Sequence, residues 1–330
     1  MDAISPLVEA RDLSIGFDLG RRSLLSRKRR VLSAVDRVSL SISPGETLGL
    51  IGESGSGKTT LGRAMLGIYE PSAGEVLFDG DNLRSITGRN RRRFYRRAQL
   101  VFQDPYSSLN PRMTVGGSLA EHLRNQAYSE HGGIPARVDE VLDLVGLGRR
   151  FGTRYPHELS GGQRQRAVIA RAISTRPDFL VADEPVSALD VSIRAQVMNL
   201  IRELQAGMGL TLLFISHDLS VVAHLSRRIA VMYLGQVMEV ASREALFRRA
   251  LHPYTHALLS AAPIPDPALE KRRNRLLLTG EIPSPADAPP GCRLQTRCPR
   301  VSERCRVEKP PLAELEPGHR VACHHPGPVA

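Results

Sequence analysis

The stretch Gly52-Glu53-Ser54-Gly55-Ser56-Gly57-Lys58-Thr59 decides the fold of this chain. It fits the pattern G-x-x-x-x-G-K-[ST], in which glycines let the backbone bend until successive N–H groups point at phosphate oxygens. The apolar run of residues 47–51 before it predicts a buried strand, and a helical pattern follows from Thr59. A surface Gly-Ser turn would lack that context, so the stretch predicts a phosphate-binding loop at a helix N-terminus.

The residues of this loop have separate expected roles. Lys58 can reach the β- and γ-phosphates of a nucleotide, and the Thr59 hydroxyl can ligate Mg²⁺. The remaining predicted phosphate-binding positions are Gly52, Ser54, Gly55, Ser56, Gly57 and Thr60.

A second run supplies the carboxylates that such a site needs. Phe179-Leu180-Val181-Ala182 predicts a buried strand, and Asp183 and Glu184 follow it directly. Alone, two adjacent carboxylates indicate a strand end as readily as a site. With the phosphate loop upstream, Asp183 is expected to hold Mg²⁺ and Glu184 to act as the general base or to orient the attacking water.

The rest of the chain predicts an α/β fold with a mostly parallel sheet covered by helices. Further strands are expected at residues 210–215 and 229–234, and an amphipathic helix at 193–204. The stretch 104–176 reads as a mainly helical subdomain. Near the start, short alternating runs at residues 13–17 and 38–42 predict antiparallel strands that flank an exposed basic loop, 21–30.

Composition narrows the function classes. The chain has 330 residues, of which 42% are hydrophobic, and this excludes a disordered chain. No apolar run reaches the length of a membrane helix, and we expect no secretory signal, so the protein is expected in a reducing cytosol. Net charge is +11. The basic clusters 21–30 and 89–97 indicate either a solvated surface or contact with anionic lipid. The sequence has no motif that recognises nucleic-acid bases, so we expect no nucleic-acid partner.

The remaining motifs carry a family resemblance. Leu159-Ser160-Gly161-Gly162-Gln163 resembles the signature of ABC-type ATPases. The other motifs of that family occur in the order that the family has along the chain. They are Gln103 within Val101–Pro105, then Ser187-Ala188-Leu189-Asp190, then His217. The chain is most similar to the ATP-binding subunits of bacterial oligopeptide and dipeptide importers, through the stretches at residues 110–114, 251–255, 263–267, 280–285 and 291–292.

The resemblance implies an ABC ATPase core at residues 1–262, with an antiparallel β subdomain and the helical signature subdomain. A Pro-rich linker and a small cysteine-bearing extension would follow at 263–330. Two such subunits would pack head to tail, with each ATP lying between one phosphate loop and the partner's signature. The implied roles fall on Ser160, Gly161, Gly162 and Gln163 (γ-phosphate in trans), Asp190 (dimer seam), His217 (γ-phosphate and water), Gln103 (Mg²⁺ and water) and Phe17 (adenine, or a buried strand aromatic).

The resemblance also implies partners. These are a second ATPase subunit, either a paralogue or a second copy, two membrane permease subunits and an extracytoplasmic substrate-binding protein. The segment 104–112 would touch a permease, and the chain would lie at the cytoplasmic face of the bacterial inner membrane. Alternative readings are an importer for another solute, such as a nickel chelate, or an ABC ATPase acting on nucleic acid.

The four cysteines are confined to the end of the chain, at Cys292, Cys298, Cys305 and Cys323. Their spacing, C-x5-C-x6-C-x17-C, lacks the short C-x2-C pairs of common zinc sites and the usual ferredoxin run. In a reducing compartment, this confined group of four cysteines therefore favours a metal site over disulfides. The spacing does not identify the metal. The family resemblance implies a [4Fe-4S] cluster, with zinc as the second choice.

Overall fold

The computed structural model describes residues 5–21, 29–129, 132–261, 276 and 278–328. Two compact units are present. The first unit comprises Met1–Val8, Ile42–Thr47 and Leu77–Ile215, and the second comprises Glu9–Ser41, Leu48–Val76 and Ser216–Ala330. Most of the basic loop 21–30 and of the linker from residue 263 lies outside the described residues. The division at residue 262 stays a prediction.

The second unit holds the phosphate loop and the cysteines. Its strands are β1 (Val8–Arg21), β2 (Arg29–Ile42), β3 (Thr47–Ile51), β4 (Ala73–Phe78), β9 (Arg228–Tyr233), β10 (Gln236–Ser242), β11 (Ala313–Glu316) and β12 (His319–Val321), of which β1 to β4 each have an end residue or two in the first unit. Its helices are α1 (Lys58–Met65), α8 (Leu219–Leu225), α9 (Arg243–Arg248), α10 (Pro253–Ala261) and α11 (Glu303–Val307), with a 3-10 turn at Pro285–Asp287.

Parallel and antiparallel pairing meet in this unit. Strand β3 pairs in parallel with β9, with Leu50 opposite Ala230. Strand β10 is antiparallel to β9 and to β12, where Glu239 lies opposite Val321, and β11 closes the edge. The expected strands near residues 13–17, 38–42 and 229–234 are confirmed. The helix and two strands of the cysteine-bearing extension were not predicted, because their runs are too short to show a period.

The first unit carries the carboxylates and the signature. Its strands are β5 (Asp81–Asn82), β6 (Ala98–Val101), β7 (Phe179–Asp183) and β8 (Thr211–Ile215). Its helices are α2 (Gly88–Arg97), α3 (Pro105–Ser108), α4 (Val115–Asn125), α5 (Gly133–Leu144), α6 (Gly161–Ile173) and α7 (Val191–Met208), with 3-10 turns at Arg149–Thr153 and Pro156–Glu158. The mainly helical character predicted for 104–176 is therefore confirmed.

Sequence pattern explains the core of the first unit. Strands β6, β7 and β8 pair in parallel, and every residue of β7 and β8 is buried, as expected for continuous apolar runs. Helix α7 buries Val197, Leu200, Ile201 and Leu204 on one face and ends at Gly209, whose φ of +63° is left-handed. The helix starts at Val191, slightly before the predicted start.

A buried carboxylate on β10 binds the cysteine-bearing extension to the rest of the second unit. Glu239 on β10 is fully buried and accepts the backbone N–H groups of Leu251 (2.7 Å) and His252 (3.0 Å). Its Oε1 also lies 2.6 Å from Nε2 of His319 on β12. Burial alone would raise the pKa of Glu239, but these partners hold it below the ordinary 4.5. The carboxylate is therefore ionised at neutral pH.

We expect Glu239→Gln to destabilise the protein by about 3 kcal/mol at pH 7, because the amide cannot accept all three contacts. The depressed pKa means that the carboxylate contributes stability above about pH 4.5 and loses it as the pH falls further. Thermal unfolding of the full chain measures the effect. Glu316→Gln is the control, since its ion pair with Arg249 is exposed. Equal unfolding temperatures for the two variants would contradict the anchor.

Candidate nucleotide site

The phosphate loop already holds its lysine. Lys58, at the start of α1, is 5% exposed. Its Nζ donates to the carbonyl oxygens of Gly52 and Glu53, both at 2.8 Å, and lies 3.4 Å from Oγ of Ser56. A cation and the N-terminus of an eight-residue helix thus share one loop, which suits a phosphate group. Thr59 and Thr60 are half-buried in the first turn of this helix.

Two glycines are required by this loop. A Cβ on Gly52, whose φ is +156°, would lie 2.1 Å from the carbonyl oxygen of Met232. A Cβ on Gly57, at φ +100°, would lie equally close to the carbonyl oxygen of Ala34. Backbone at this distance cannot yield, so only glycine lets the loop close against its neighbours.

Residues distant in sequence support the loop from outside. The N–H of Glu53 donates to the Tyr254 hydroxyl at 2.9 Å, and the N–H of Gly235 donates to the Ser56 carbonyl at 2.9 Å. Arg297 pairs with the Glu53 carboxylate. These supports were missed by the sequence reasoning. Tyr254 belongs to a stretch that carried the family resemblance, but nothing in the sequence linked it to the loop.

Two other predicted residues lie in the second unit. His217 is exposed in the turn before α8, which Asp218 caps by accepting the N–H groups of Ser220 and Val221. Phe17 on β1 is half-buried and packs edge-on against Tyr69, with ring centroids 5.3 Å apart. Its adenine-stacking role stays a prediction, because the same contact suits a strand aromatic.

The carboxylate pair lies at the end of β7. Asp183 is buried, and Glu184 turns sharply with a φ of +47° while its N–H donates to the Ile215 carbonyl. A non-glycine residue in this region is strained, and such strain concentrates at functional sites. Nε2 of Gln103 donates to Oε2 of Glu184 at 3.1 Å. The structure thus brings together two residues that the sequence assigned to one catalytic role.

The signature residues form the N-terminus of α6. Ser160 caps the helix: its Oγ accepts the N–H of Gln163 at 3.4 Å, and Oε1 of Gln163 accepts the Ser160 N–H at 3.0 Å. Ser160 and Gly161 are exposed, so this helix end faces outward. The sequence predicts a helix from Gly162 to about Ser174, and helix α6 begins one residue earlier, at Gly161.

Helix α6 is tied to the segment that follows Gln103. The guanidinium of Arg164 lies 3.9 Å from the ring centroid of Tyr106, and Arg171 donates to the carbonyl of Ser108 at 2.8 Å. Tyr106 is nevertheless 69% exposed.

Asp190 occupies the N-cap position of α7 without a side-chain capping bond, and Val191 beside it is 80% exposed.

The [4Fe-4S] or zinc site predicted at the four cysteines is not supported by the structure. All four cysteines are free thiols. Within the described ranges, which include all four, no three His, Cys, Asp or Glu residues are grouped so that they could hold a metal ion. Burial raises the pKa of Cys292 to about 12 and that of Cys323 to about 11, so both are neutral thiols at physiological pH.

No helix in the described part of the chain is both long and apolar enough to cross a membrane.

Comparison with known proteins places the chain among transport ATPases. Residues 35–187 match the family model described as ABC transporter, and residues 238–305 match the one described as oligopeptide/dipeptide transporter, C-terminal region. The chain is 52% identical over 320 residues to the putative oligopeptide transport ATP-binding protein YkfD of Bacillus subtilis, covering 97% of this chain and 95% of the relative. It is 48% identical to the oligopeptide transport ATP-binding protein AppF of the same organism, covering 96% and 97%.

A solved structure shares the fold. The dimeric post-hydrolysis state of the ATP-binding cassette MJ0796, bound to ADP and Pi, matches with a TM-score of 0.63 and 28% sequence identity. The match covers 72% of this chain and 98% of that one. The expected P-loop NTPase fold is confirmed.

The two signature glycines offer a matched test of how α6 is seated. A Cβ on Gly162 would lie 2.5 Å from Cγ2 of Ile193 on α7, whereas one on Gly161 would meet no atom closer than 3.9 Å. We expect Gly162→Ala to be less stable than Gly161→Ala by about 2 kcal/mol, because the β-branched Ile193 cannot yield freely. Thermal unfolding of both variants measures the difference. Equal stability would show that α6 and α7 do not pack this closely.

Proposed function

Because the chain belongs to the ABC transporter family, we propose that it is the ATP-binding subunit of a peptide importer and that it hydrolyses ATP to drive uptake. The observation that carries this proposal is similarity along almost the whole chain to peptide transport subunits, which includes the C-terminal region as well as the ATPase core. The geometry agrees, since the phosphate loop, a strained carboxylate and an exposed signature helix are all present.

In this function the phosphate loop binds the nucleotide. Lys58 exchanges its contacts with the loop carbonyls for the β- and γ-phosphates, and the loop N–H groups with the N-terminus of α1 hold the remaining charge. Thr59 and Asp183 would ligate Mg²⁺, which, when bound, neutralises charge on the phosphate oxygens. Oxygen ligands of this kind suit that ion. Phe17 would stack on the adenine.

Glu184 is proposed as the residue that acts on the attacking water. Its carboxylate would accept a proton from the water or orient it, and Gln103 holds the carboxylate through the hydrogen bond from its amide. His217 would bind the γ-phosphate. The strained backbone at Glu184 supports this assignment, because strain of this kind persists where function requires one side-chain direction.

The signature is proposed to act on the ATP of a second subunit. Gly161 and Gly162 supply N–H groups and Ser160 a hydroxyl at the positive end of a 13-residue helix, where Ser160 and Gly161 are exposed, and this suits a γ-phosphate held by a partner. Gln163 holds Ser160 in place through the capping box. Asp190 and the exposed Val191 would lie in the seam of that dimer. The partner is a paralogue or a second copy of this chain.

Transport requires membrane subunits. We place the chain as a peripheral subunit at the cytoplasmic face of the inner membrane, with two permeases and an extracytoplasmic peptide-binding protein. The segment 104–112 is the proposed permease contact. The exposure of Tyr106 supports this, and its packing on Arg164 would pass movement of the segment to the signature helix.

We expect Glu184→Gln to keep ATP binding and to lower the ATPase rate by at least about 100-fold, because the amide cannot accept a proton. Peptide uptake by membrane vesicles that contain the assembled transporter should fall with it. Equilibrium binding of ATP and steady-state phosphate release measure the two effects. Glu121→Gln, at an exposed position on α4, is the control. Undiminished ATPase activity in Glu184→Gln would refute the assignment of Glu184.

We also propose that the four cysteines bind a [4Fe-4S] cluster rather than zinc. Each thiolate of such a cluster binds a different iron, so the sulfurs need not converge on one ion as they do around zinc. One feature supports the cluster: the backbone N–H groups of Arg300 and His325 lie 3.4 and 3.3 Å from the sulfurs of Cys298 and Cys323, and such contacts stabilise cluster thiolates.

Anaerobic purification tests the cluster. We expect about four iron and four sulfide per chain, and loss of both in Cys298→Ser. Colourless protein that contains zinc, or no metal, would contradict the proposal.

A further inference from the structure

The phosphate loop contains one acidic residue, Glu53. A carboxylate in a loop that binds anions opposes its ligand, since like charges repel. In this structure the charge is balanced from far along the chain: Nη1 of Arg297 donates to both carboxylate oxygens of Glu53, at 2.8 and 3.1 Å. The Arg297 side chain is 10% exposed and that of Glu53 is 25% exposed. Solvent therefore screens this pair less than a surface ion pair.

Arg297 is held in place by its own segment. Its N–H donates to the carbonyl of Leu294 at 2.8 Å, and the N–H of Gln295 donates to the carbonyl of Cys292 at 3.1 Å, so the residues form a tight turn. The Leu294 side chain is fully buried and anchors that turn. The guanidinium also faces the ring of Tyr233, 5.9 Å from its centroid.

The same turn reaches a second support of the loop. Arg293 donates to Oδ2 of Asp36 at 2.6 Å, and the N–H of Asp36 donates to the carbonyl of Gly235. Gly235 in turn donates to the Ser56 carbonyl. The cysteine-bearing turn thus connects with the phosphate loop at both Glu53 and Ser56.

We propose that Arg297 is a positioning residue for ATP binding, through which the cysteine-bearing extension controls the affinity of the phosphate loop. It neutralises the carboxylate of Glu53, the residue whose backbone carbonyl accepts a hydrogen bond from Lys58. Loss of the guanidinium leaves that carboxylate uncompensated beside the bound phosphates and so weakens binding of the nucleotide. The inference rests on the proposed ATPase function.

A double-mutant cycle in the full chain tests this proposal. Arg297→Met keeps the buried stem and removes the charge, so the KM for ATP should rise about tenfold while kcat changes less than twofold. Arg297→Lys should retain most of the affinity. In Glu53→Gln/Arg297→Met the KM should return to within about threefold of Glu53→Gln alone, because no carboxylate is left to neutralise.

Arg249→Met is the matched control, since Arg249 pairs with Glu316 of the same extension at an exposed position, and its KM should equal that of the wild type. An unchanged KM in Arg297→Met, or an equal rise with and without Glu53, would overturn the proposal. If Arg297→Met does not fold, Arg297→Gln replaces it: this variant also removes the charge and should raise the KM for ATP about tenfold, and an unchanged KM there would overturn the proposal. Absence of ATPase activity in the wild-type chain would instead refute the proposed function.

Discussion

The capture of Lys58 by the backbone of its own loop is the contact on which the nucleotide site depends. Its ammonium group donates to the carbonyls of Gly52 and Glu53, in a loop that closes on its neighbours because Gly52, at a φ of +156°, has no Cβ to meet the Met232 carbonyl. An anion-binding loop concentrates like-oriented N–H dipoles, and the lysine supplies the charge that completes it.

Residues from distant parts of the second unit hold the phosphate loop in its conformation. Tyr254 and Arg297 fix Glu53, while Gly235 fixes Ser56. In the first unit the equivalent order comes from Gln103 on Glu184 and from the capping box of Ser160 and Gln163. Lys58, Glu184 and Ser160 thus each have a partner that sets their direction, and this limits the reorganisation needed for reaction.

Hydrophobic periodicity and short motifs predicted those parts of the fold that depend on neighbouring residues in the sequence. Three features can each be predicted from a window of about fifteen residues, because backbone propensity and periodicity act over that range. They are the phosphate loop, the buried run before Asp183 and the apolar face of α7. The signature helix was placed within one residue for the same reason. The Gln103–Glu184 contact was anticipated only as a shared role that the family order implied.

The remainder could not be read from local pattern. Glu53 and Arg297 are 244 positions apart, and no periodicity links them. The buried Glu239–His319 pair spans 80 positions, and the extension that it fastens has strands of three or four residues. Cysteine spacing named candidate ligands, but the arrangement of the thiols depends on a turn whose shape was not evident from the sequence.

The central claim is that each ATP is hydrolysed with the help of a second subunit's signature. Its most direct test is the specific ATPase activity of the full chain, alone or with its co-purifying ATP-binding partner, across serial dilution. The account predicts that activity per chain falls as pairs dissociate and is restored on concentration. Activity per chain that stays constant at every dilution, with the protein shown to be monomeric, would contradict it.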